Sequence, residues 1–226
     1  MTNWAKVIEG KIALAQRNLA QGMKPGKVSP DARIPAGQSQ VRDFPVLDMG
    51  VRPALDKATW KLGLFGLVRN EMSLDWSTFT ALPQTRIQSD MHCVTRWTQL
   101  DMDWEGVAAR ELVKMAEPLE DAQFVTLHGF DGYTTNLPLE ALLDDDVLIA
   151  HRVFGEPLSM DHGWPARMVV PKRYAWKGAK WLSAIEFHQR DRPGFWEVRG
   201  YHNDADPWQE QRFGFPTEDE TESTVA

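Results

Sequence analysis

Cysteine is almost absent from this chain, because Cys93 is the only one among 226 residues. A single cysteine cannot close an internal disulfide. It also excludes sites that need several cysteines, such as all-cysteine zinc sites, iron–sulfur clusters and the C-x-x-C-H attachment of haem. A chain without disulfides is typical of the reducing cytoplasm, so we predict a cytoplasmic protein.

Long apolar runs and an excess of positive charge are also missing. No stretch approaches the roughly 20 apolar residues that span a bilayer, and residues 1–24 alternate charged and apolar side chains, unlike a secretory signal. The chain has 25 Lys and Arg against 32 Asp and Glu, a net charge of −7. An acidic protein lacks the broad basic face that neutralises phosphates. We therefore predict neither a transmembrane segment nor a nucleic-acid partner.

The chain divides into three regions by composition. Apolar residues recur at helical spacing from Trp4 to Leu19, which predicts an amphipathic helix ending near Gly22. The following stretch to residue 42 is rich in Pro, Gly and Ser without periodicity, as expected of an extended arm. The last residues are acidic and lack large apolar groups. The predicted regions are an N-terminal helix and arm (1–42), a main domain (43–213) and an acidic disordered tail (214–226).

Strand patterns dominate the main domain and alternate with short helices. Runs rich in β-branched residues predict strands at 59–68, 85–94, 123–133, 147–158, 166–171 and 181–188. Helices are predicted at 73–83, with Asp75 as N-cap, at 104–118, which has the clearest amphipathic pattern, and at 137–146. Regular helices of the length found between parallel strands are missing. The pattern favours a mixed, mainly β fold of the α+β class.

Cys93 stands at the end of an alternating run, in the sequence DMHCVTRW. A lone cysteine in this position is most often a small buried apolar residue. Alternatively, positive charge from His92, Arg96 or Lys172 near the sulfur would lower the pKa of the thiol and favour a thiolate. A thiolate is a nucleophile or a soft-metal ligand, and the residues alone leave both uses open.

Residues 161–181, DHGWPARMVVPKRYAWKGAKW, concentrate cations within an acidic chain. The common interpretation is a solvated loop whose lysines extend into water. The functional one is a phosphate site, in which arginine supplies a planar fork, lysine a point charge, and Gly178 room for backbone N–H groups to approach an anion. The cations are Arg167, Lys172, Arg173, Lys177 and Lys180.

Other motifs carry less information. Residues 128–140, HGFDGYTTNLPLE, form a turn whose polar groups, Tyr133 among them, are ordinary turn chemistry unless the turn faces Cys93. The histidines lack the spacing of a zinc or non-haem iron site. The chain has no P-loop, no G-x-G-x-x-G and no G-x-S-x-G, so nucleotide and hydrolase functions lose their usual support.

Several segments, taken together and in order, resemble the molybdopterin-binding domain of the sulfite oxidase family, and more narrowly its small bacterial branch of sulfite oxidase-like oxidoreductases. The resemblance covers roughly residues 40–213 and leaves out the N-terminal helix and the acidic tail. The segments that carry it are HCVTRW, WEGV, DGYTTNLPLE, HGWPARMVVPKRYAWKGAKW and RPGFWEVRGYHNDADPW.

The resemblance implies a mainly β fold that binds molybdenum–molybdopterin. In this family one cysteine thiolate ligates molybdenum, a role that would fall on Cys93, and soft-metal ligation does require a deprotonated thiol. The pterin-phosphate contacts of the family would fall on the basic loop, at His162, Arg167, Gly178 and Lys180, with Lys177 close by.

The implied activity is two-electron oxygen-atom transfer on a small S-oxide, N-oxide or sulfite-like substrate, with an unidentified electron-transfer partner. Cys93 is the predicted ligand, Arg96 a predicted contact for substrate anions, and Tyr133 or Trp97 a predicted wall of the substrate site. Two other classes stay open: a cysteine-nucleophile enzyme, and a non-catalytic module that binds a pterin or another phosphorylated ligand.

Overall fold

A computed structural model of the chain describes residues 3–23 and 25–214. The tail predicted at 214–226 lies outside the described residues, apart from Gly214. Eleven strands, three α-helices and four short 3-10 helices make up the described part. The predicted α+β class, mainly β with short helices, is confirmed. Within residues 3–23 and 25–214 no helix has both the length and the apolar character of a membrane span.

One sheet is built on a long antiparallel hairpin of β4 (Gln84–Cys93) and β5 (Trp97–Ala108). Its turn joins Cys93 to Trp97, which pair with each other across the hairpin. The other strands of this sheet are β1 (Ser39–Gln40), β8 (Leu148–Val153), β9 (Glu156–Pro157) and β10 (Arg167–Val169). β8 pairs with the second half of β5, and β1 runs parallel to the start of β5.

The second sheet has five strands in the order β3, β2, β11, β6, β7. The pairing of β2 with β11 is parallel and the others are antiparallel. Its strands are β2 (Lys61–Gly66), β3 (Met72–Asp75), β6 (Phe124–Gly129), β7 (Thr134–Pro138) and β11 (Leu182–His188). The larger core cluster contains residues of both sheets, such as Leu64 and Ile149, so the sheets share one core.

The N-terminal helix α1 (Trp4–Gln21) forms as predicted, and Gly22 follows it. The Asn3 side chain caps it by accepting a hydrogen bond from the Lys6 N–H. Its apolar stripe packs on the core: Ala15 is fully buried, and Ile8 and Ile12 lie against the same cluster. The helix is therefore docked on the body of the protein.

Two of the predicted helices are shorter than their sequence patterns. Only α3 (Ala109–Ala116) is helical within 104–118, because residues 104–108 continue β5. At Gly106 a Cβ would clash with the Ile149 carbonyl oxygen, so only glycine lets β8 pair this closely with β5. Likewise α2 (Trp76–Ala81) begins after β3, at the predicted cap Asp75, which accepts from the Thr78 N–H at 2.8 Å.

Further differences concern polar segments. The predicted helix at 137–146 is a 3-10 helix over Leu139–Leu143, and the first half of β5 and all of β7 have no predicted counterpart. β7 contains the polar run Thr134–Asn136, which predicts a turn, but Thr135 and Asn136 are buried with partners from the C-terminal part of the chain. Tertiary partners override the local preference there.

A buried ion pair joins the basic loop to the 3-10 helix Glu197–Arg199. Lys177 Nζ lies 2.8 Å from Glu197 Oε1, and neither side chain is more than 1% exposed. The same ammonium donates to the backbone oxygen and the side-chain oxygen of Asn136. Glu197 also accepts from Thr135 and from Trp176. The Lys177 ammonium thus has three acceptors for its three N–H groups, and a buried charge requires such partners.

The network predicts a stability effect at Lys177. In Lys177→Met the Glu197 carboxylate stays buried without its cation, so the free energy of unfolding should fall by about 3–5 kcal/mol in a urea titration. The control is Lys172→Met, whose ammonium is exposed and pairs with Asp144; this change should cost less than about 1 kcal/mol. Equal losses in the two variants would refute the structural role of the buried pair.

Candidate functional site

A cavity with about 800 Å³ of empty space, part of it open to solvent, lies between the end of β4 and the basic loop. Six of the eight predicted site residues line it, and so does Trp97. The structure brings together Cys93, Tyr133, His162, Arg167, Gly178 and Lys180. Arg96 and Lys177 are not brought to it: Lys177 belongs to the buried pair with Glu197.

The hairpin turn after β4 places Cys93 at the cavity. The Arg96 N–H donates to the Cys93 carbonyl at 3.0 Å and closes the turn. Arg96 has a φ of 72°, the left-handed conformation that three-residue hairpin loops need before the second strand. Its guanidinium lies near the Gly37 carbonyl, 3.5 Å away, and not in the cavity. In the structure Arg96 shapes the turn.

The N-terminal arm and the C-terminal segment hold this turn from outside. Gln38 donates to the Cys93 carbonyl at 3.1 Å, and the Ser39 N–H donates to the Arg96 carbonyl at 2.9 Å. Arg212 donates to the carbonyls of Val94 and Ala36, which links the turn to the arm. The cysteine loop is therefore fixed by segments far from it in sequence.

The Cys93 thiol is 6% exposed, and burial raises its pKa. A hydrogen bond from Thr95 Oγ1 at 3.2 Å and the charges of Lys11 and Arg212 act in the opposite direction. The expected lowering of this pKa by His92 and Lys172 is wrong: burial lowers the pKa of His92 to about 4, and Lys172 pairs with Asp144. Such a thiol becomes a thiolate when a metal cation binds it.

Arg167 supplies to the same cavity a positive charge without a paired carboxylate. Its side chain is buried, and its nearest hydrogen-bond acceptors are the carbonyls of His162 and Gly178, at 3.3 and 3.4 Å. No carboxylate of the described residues forms a salt bridge with it. Burial lowers the pKa of Arg167 to about 10. A buried guanidinium in this state is suited to an anionic ligand.

Lys180 adds a second cation next to Arg167. Its ammonium donates to the Asp161 carbonyl at 2.8 Å and lies 3.8 Å from Asp48. Burial and then repulsion by Arg167 lower the pKa of Lys180 to about 8. Gly163 makes this proximity possible, because a Cβ there would lie 3.1 Å from the Cβ atoms of both cations. We call Arg167 and Lys180 the cation pair.

His162 and Tyr133 line the cavity with their polar atoms already engaged. The His162 ring stacks on Phe44 at 3.9 Å, and its nitrogens lie 3.0 Å from the Phe44 carbonyl and 2.8 Å from Ser159 Oγ. Burial lowers the pKa of His162, so the ring is neutral. Tyr133 donates to the Trp176 carbonyl at 2.6 Å, and burial raises its pKa well above the ordinary value. Both residues therefore act as walls of the cavity.

Several lining residues escape the sequence-based prediction. Trp196 and Tyr201 lie in the segment RPGFWEVRGYHNDADPW, which does not by itself mark them as site residues, and Asp48 lies in none of the quoted segments. Lys11 of α1 also lines the cavity. It has one sequence signal, since it stands within the apolar stripe formed by Ile8, Ile12 and Ala15, where a lysine is unusual.

The residues fit a ligand that combines a soft metal, a flat ring and a phosphate. The thiol supplies a soft donor, and the cation pair supplies charge for a phosphate. In the same cavity, Trp97 Nε1 is buried without a hydrogen-bond partner among the described residues, and Asp48 Oδ2 has only ion-pair contacts, with Arg52 at 3.5 Å and Lys180 at 3.8 Å. A buried donor without an acceptor in a cavity indicates a ligand with hydrogen-bonding edges, such as a pterin. No described group of three or more His, Cys, Asp and Glu forms a metal cluster.

Comparison with known proteins gives the same assignment. The family profile described as the oxidoreductase molybdopterin binding domain matches residues 49–196. The chain is 44% identical over 182 residues to the oxidoreductase YuiH of Bacillus subtilis, with 80% of this chain and 92% of YuiH covered. It is 28% identical over 169 residues to the catalytic subunit MsrP, a protein-methionine-sulfoxide reductase of Burkholderia mallei. That match covers 66% of this chain and 51% of MsrP.

Among solved structures, the sulfane dehydrogenase SoxCD of Paracoccus pantotrophus superposes with a TM-score of 0.57 and 23% identity. The match covers 62% of this chain and 40% of that chain, and it supports the fold. The predicted family, cofactor and enzyme class are confirmed. Because the family profile covers most of the chain and the Bacillus relative matches along nearly its whole length, the chain belongs to the sulfite oxidase-type family of molybdopterin-binding oxidoreductases.

Proposed function

We propose that this enzyme transfers an oxygen atom to or from a small S-oxide, N-oxide or sulfite-like substrate, with Cys93 as the protein ligand of molybdenum. The observation that carries the proposal is that one cavity contains both a buried thiol and a cation pair in which only Lys180 has a carboxylate, Asp48, within 4 Å. The likeness to MsrP, which is named as a protein-methionine-sulfoxide reductase, makes sulfoxides the first substrates to test.

In this proposal the two ends of the cavity hold the two ends of the cofactor. Cys93 Sγ ligates the metal, and Thr95 Oγ1 donates to that sulfur and orients it. Arg167 and Lys180 bind the phosphate, and Gly178 leaves no room for a side chain, since a Cβ there would lie 2.6 Å from the Met168 carbonyl oxygen. When bound, molybdenum–molybdopterin supplies the two-electron redox chemistry.

The protein residues exclude water, orient the substrate and carry charge. In the reductive direction, a sulfoxide, two electrons and two protons give a thioether and water. In the oxidative direction, sulfite and water give sulfate, two electrons and two protons. Either direction needs an electron-transfer partner, which we propose to be a separate redox protein or carrier. Aromatic residues that line the cavity narrow the space left for substrate: Trp97, Trp176, Trp196 and Tyr201.

The first prediction from the proposal concerns Cys93. Protein purified from a host that makes the cofactor should contain molybdenum and pterin in equal amounts and turn over dimethyl sulfoxide, trimethylamine N-oxide or sulfite with an artificial electron carrier. Cys93→Ser should lose turnover while its unfolding curve stays close to that of the wild type, because the side chain keeps its size but not its soft donor.

Thr95→Val is the matched variant for Cys93→Ser. It keeps the thiol and removes the hydrogen bond to Sγ, so its activity or metal affinity should fall by about 10- to 100-fold. A Cys93→Ser variant with wild-type turnover would remove the cysteine from its proposed role. Protein that contains neither molybdenum nor pterin would refute the proposed function itself.

The second prediction concerns the cation pair in the cofactor-free protein. Sulfate, whose charge is constant in this range, should bind with an affinity that falls as pH rises through about 8, because the Lys180 ammonium loses its proton there. The pKa of Arg167, about 10, keeps its charge across the same range. Calorimetric titration at constant ionic strength measures the change. Lys180→Gln should abolish this pH dependence.

Arg173 provides the matched control for the cation pair. It lies in the same loop but pairs with Asp204 at 2.8 Å. Arg167→Gln should weaken sulfate binding and reduce the molybdenum and pterin content of the purified protein, whereas Arg173→Gln should leave both near the wild-type values. If the two variants retain the cofactor equally, Arg167 does not bind the phosphate.

A further inference from the structure

The N-terminal helix contributes Lys11, which lies on the buried face of the helix, to the lining of the cavity. Lys11 is three residues from Ile8 and four from Ala15, so it lies on the stripe of α1 that packs against the core. Lysine is among the residue types least often buried without a partner. Here its ammonium lies 5.4 Å from the ring centroid of Trp196, and the residue lines the cavity.

No described carboxylate forms a salt bridge with Lys11, whereas Lys177 pairs with Glu197 and Lys180 with Asp48. Burial lowers the pKa of Lys11, and the two groups that act against this effect are Cys93 and Asp48. An aromatic face compensates a desolvated ammonium only in part. The position therefore lacks an anion.

Lys11 and Lys180 have different neighbours in the cavity. The Lys11 ammonium lies over the Trp196 ring, whereas the Lys180 ammonium lies 4.6 Å from the Trp181 ring centroid and donates to the Asp161 carbonyl. If the phosphate occupies the cation pair, Lys11 stays available in the cavity that Cys93 also lines. Arg96, which the sequence predicts for substrate anions, lies outside the cavity.

We propose that Lys11 binds an anionic group of the substrate and so selects anionic oxygen-atom donors or acceptors over neutral ones. This inference rests on the proposed function and adds a substrate class to it: small oxyanions, or sulfoxides that carry a carboxylate or a sulfonate. Trp196 and Tyr201, which line the same cavity, would flank the bound molecule. Because α1 precedes residues 49–196, this determinant lies outside the part matched by the family profile.

The test compares two sulfoxides on the molybdenum-loaded enzyme: methylsulfinylacetate, an anion, and dimethyl sulfoxide, which is neutral. The ratio of kcat/KM for the anion to that for the neutral probe should fall by about 10- to 100-fold in Lys11→Gln, as expected for the loss of a charged hydrogen bond. Lys11→Arg should recover much of the ratio. Lys6→Gln, the same charge change at an exposed position of α1, should keep the wild-type ratio.

A binding measurement separates this inference from the proposed function. Sulfate should bind the wild-type holoenzyme in equilibrium dialysis, and Lys11→Gln should weaken it by a similar factor while the molybdenum and pterin content stays the same. If Lys11→Gln lowers both kcat/KM values equally, or loses cofactor, the lysine has a structural role and the inference fails. If the wild type contains cofactor but turns over no probe, the proposed function fails, and sulfate binding alone decides the role of Lys11.

Discussion

The desolvation of charged groups around one cavity is the constraint on which this structure depends. Arg167, Lys180 and Lys11 are withdrawn from water around one cavity, and in each case burial lowers the pKa. The Cys93 thiol is affected in the opposite direction, since its pKa is raised. All four shifts express the same unfavourable desolvation. An anionic cofactor that carries a metal cation would relieve the shifts of Arg167, Lys180 and Cys93, and a substrate anion would relieve that of Lys11.

Hydrogen bonds and a buried ion pair from the surrounding scaffold hold the elements that carry these groups. The buried pair of Lys177 and Glu197 holds the basic loop against β7. The arm holds the cysteine turn through Gln38, and Arg212 does so from the C-terminal side. Segments near both ends of the described chain thereby support a site whose cofactor-binding residues come from the middle of the chain. Such support is what keeps a binding site preorganised before its ligand arrives.

The secondary structure shows where local pattern suffices. The strand that ends at Cys93 and the cap at Asp75 follow from alternation and from side-chain chemistry. The helical pattern at 104–118 fails in its first turn because Gly106 permits close contact with Ile149 on β8, a neighbour that local pattern does not reveal. β7 is missed for a similar reason, since its buried Thr135 and Asn136 depend on distant hydrogen-bond partners.

The sequence by itself determined the kind of cofactor site: a single cysteine allows one protein thiolate, and the family motifs around it and in the basic loop indicate a molybdenum–pterin group. Only the tertiary structure decided which cations face that site. Lys177 and Lys180 are three positions apart, yet Glu197 neutralises the first while the second lies beside Arg167. The reason is that a lysine's role depends on how close its carboxylate lies, 2.8 Å for Lys177 and 3.8 Å for Lys180, and those carboxylates come from distant parts of the chain.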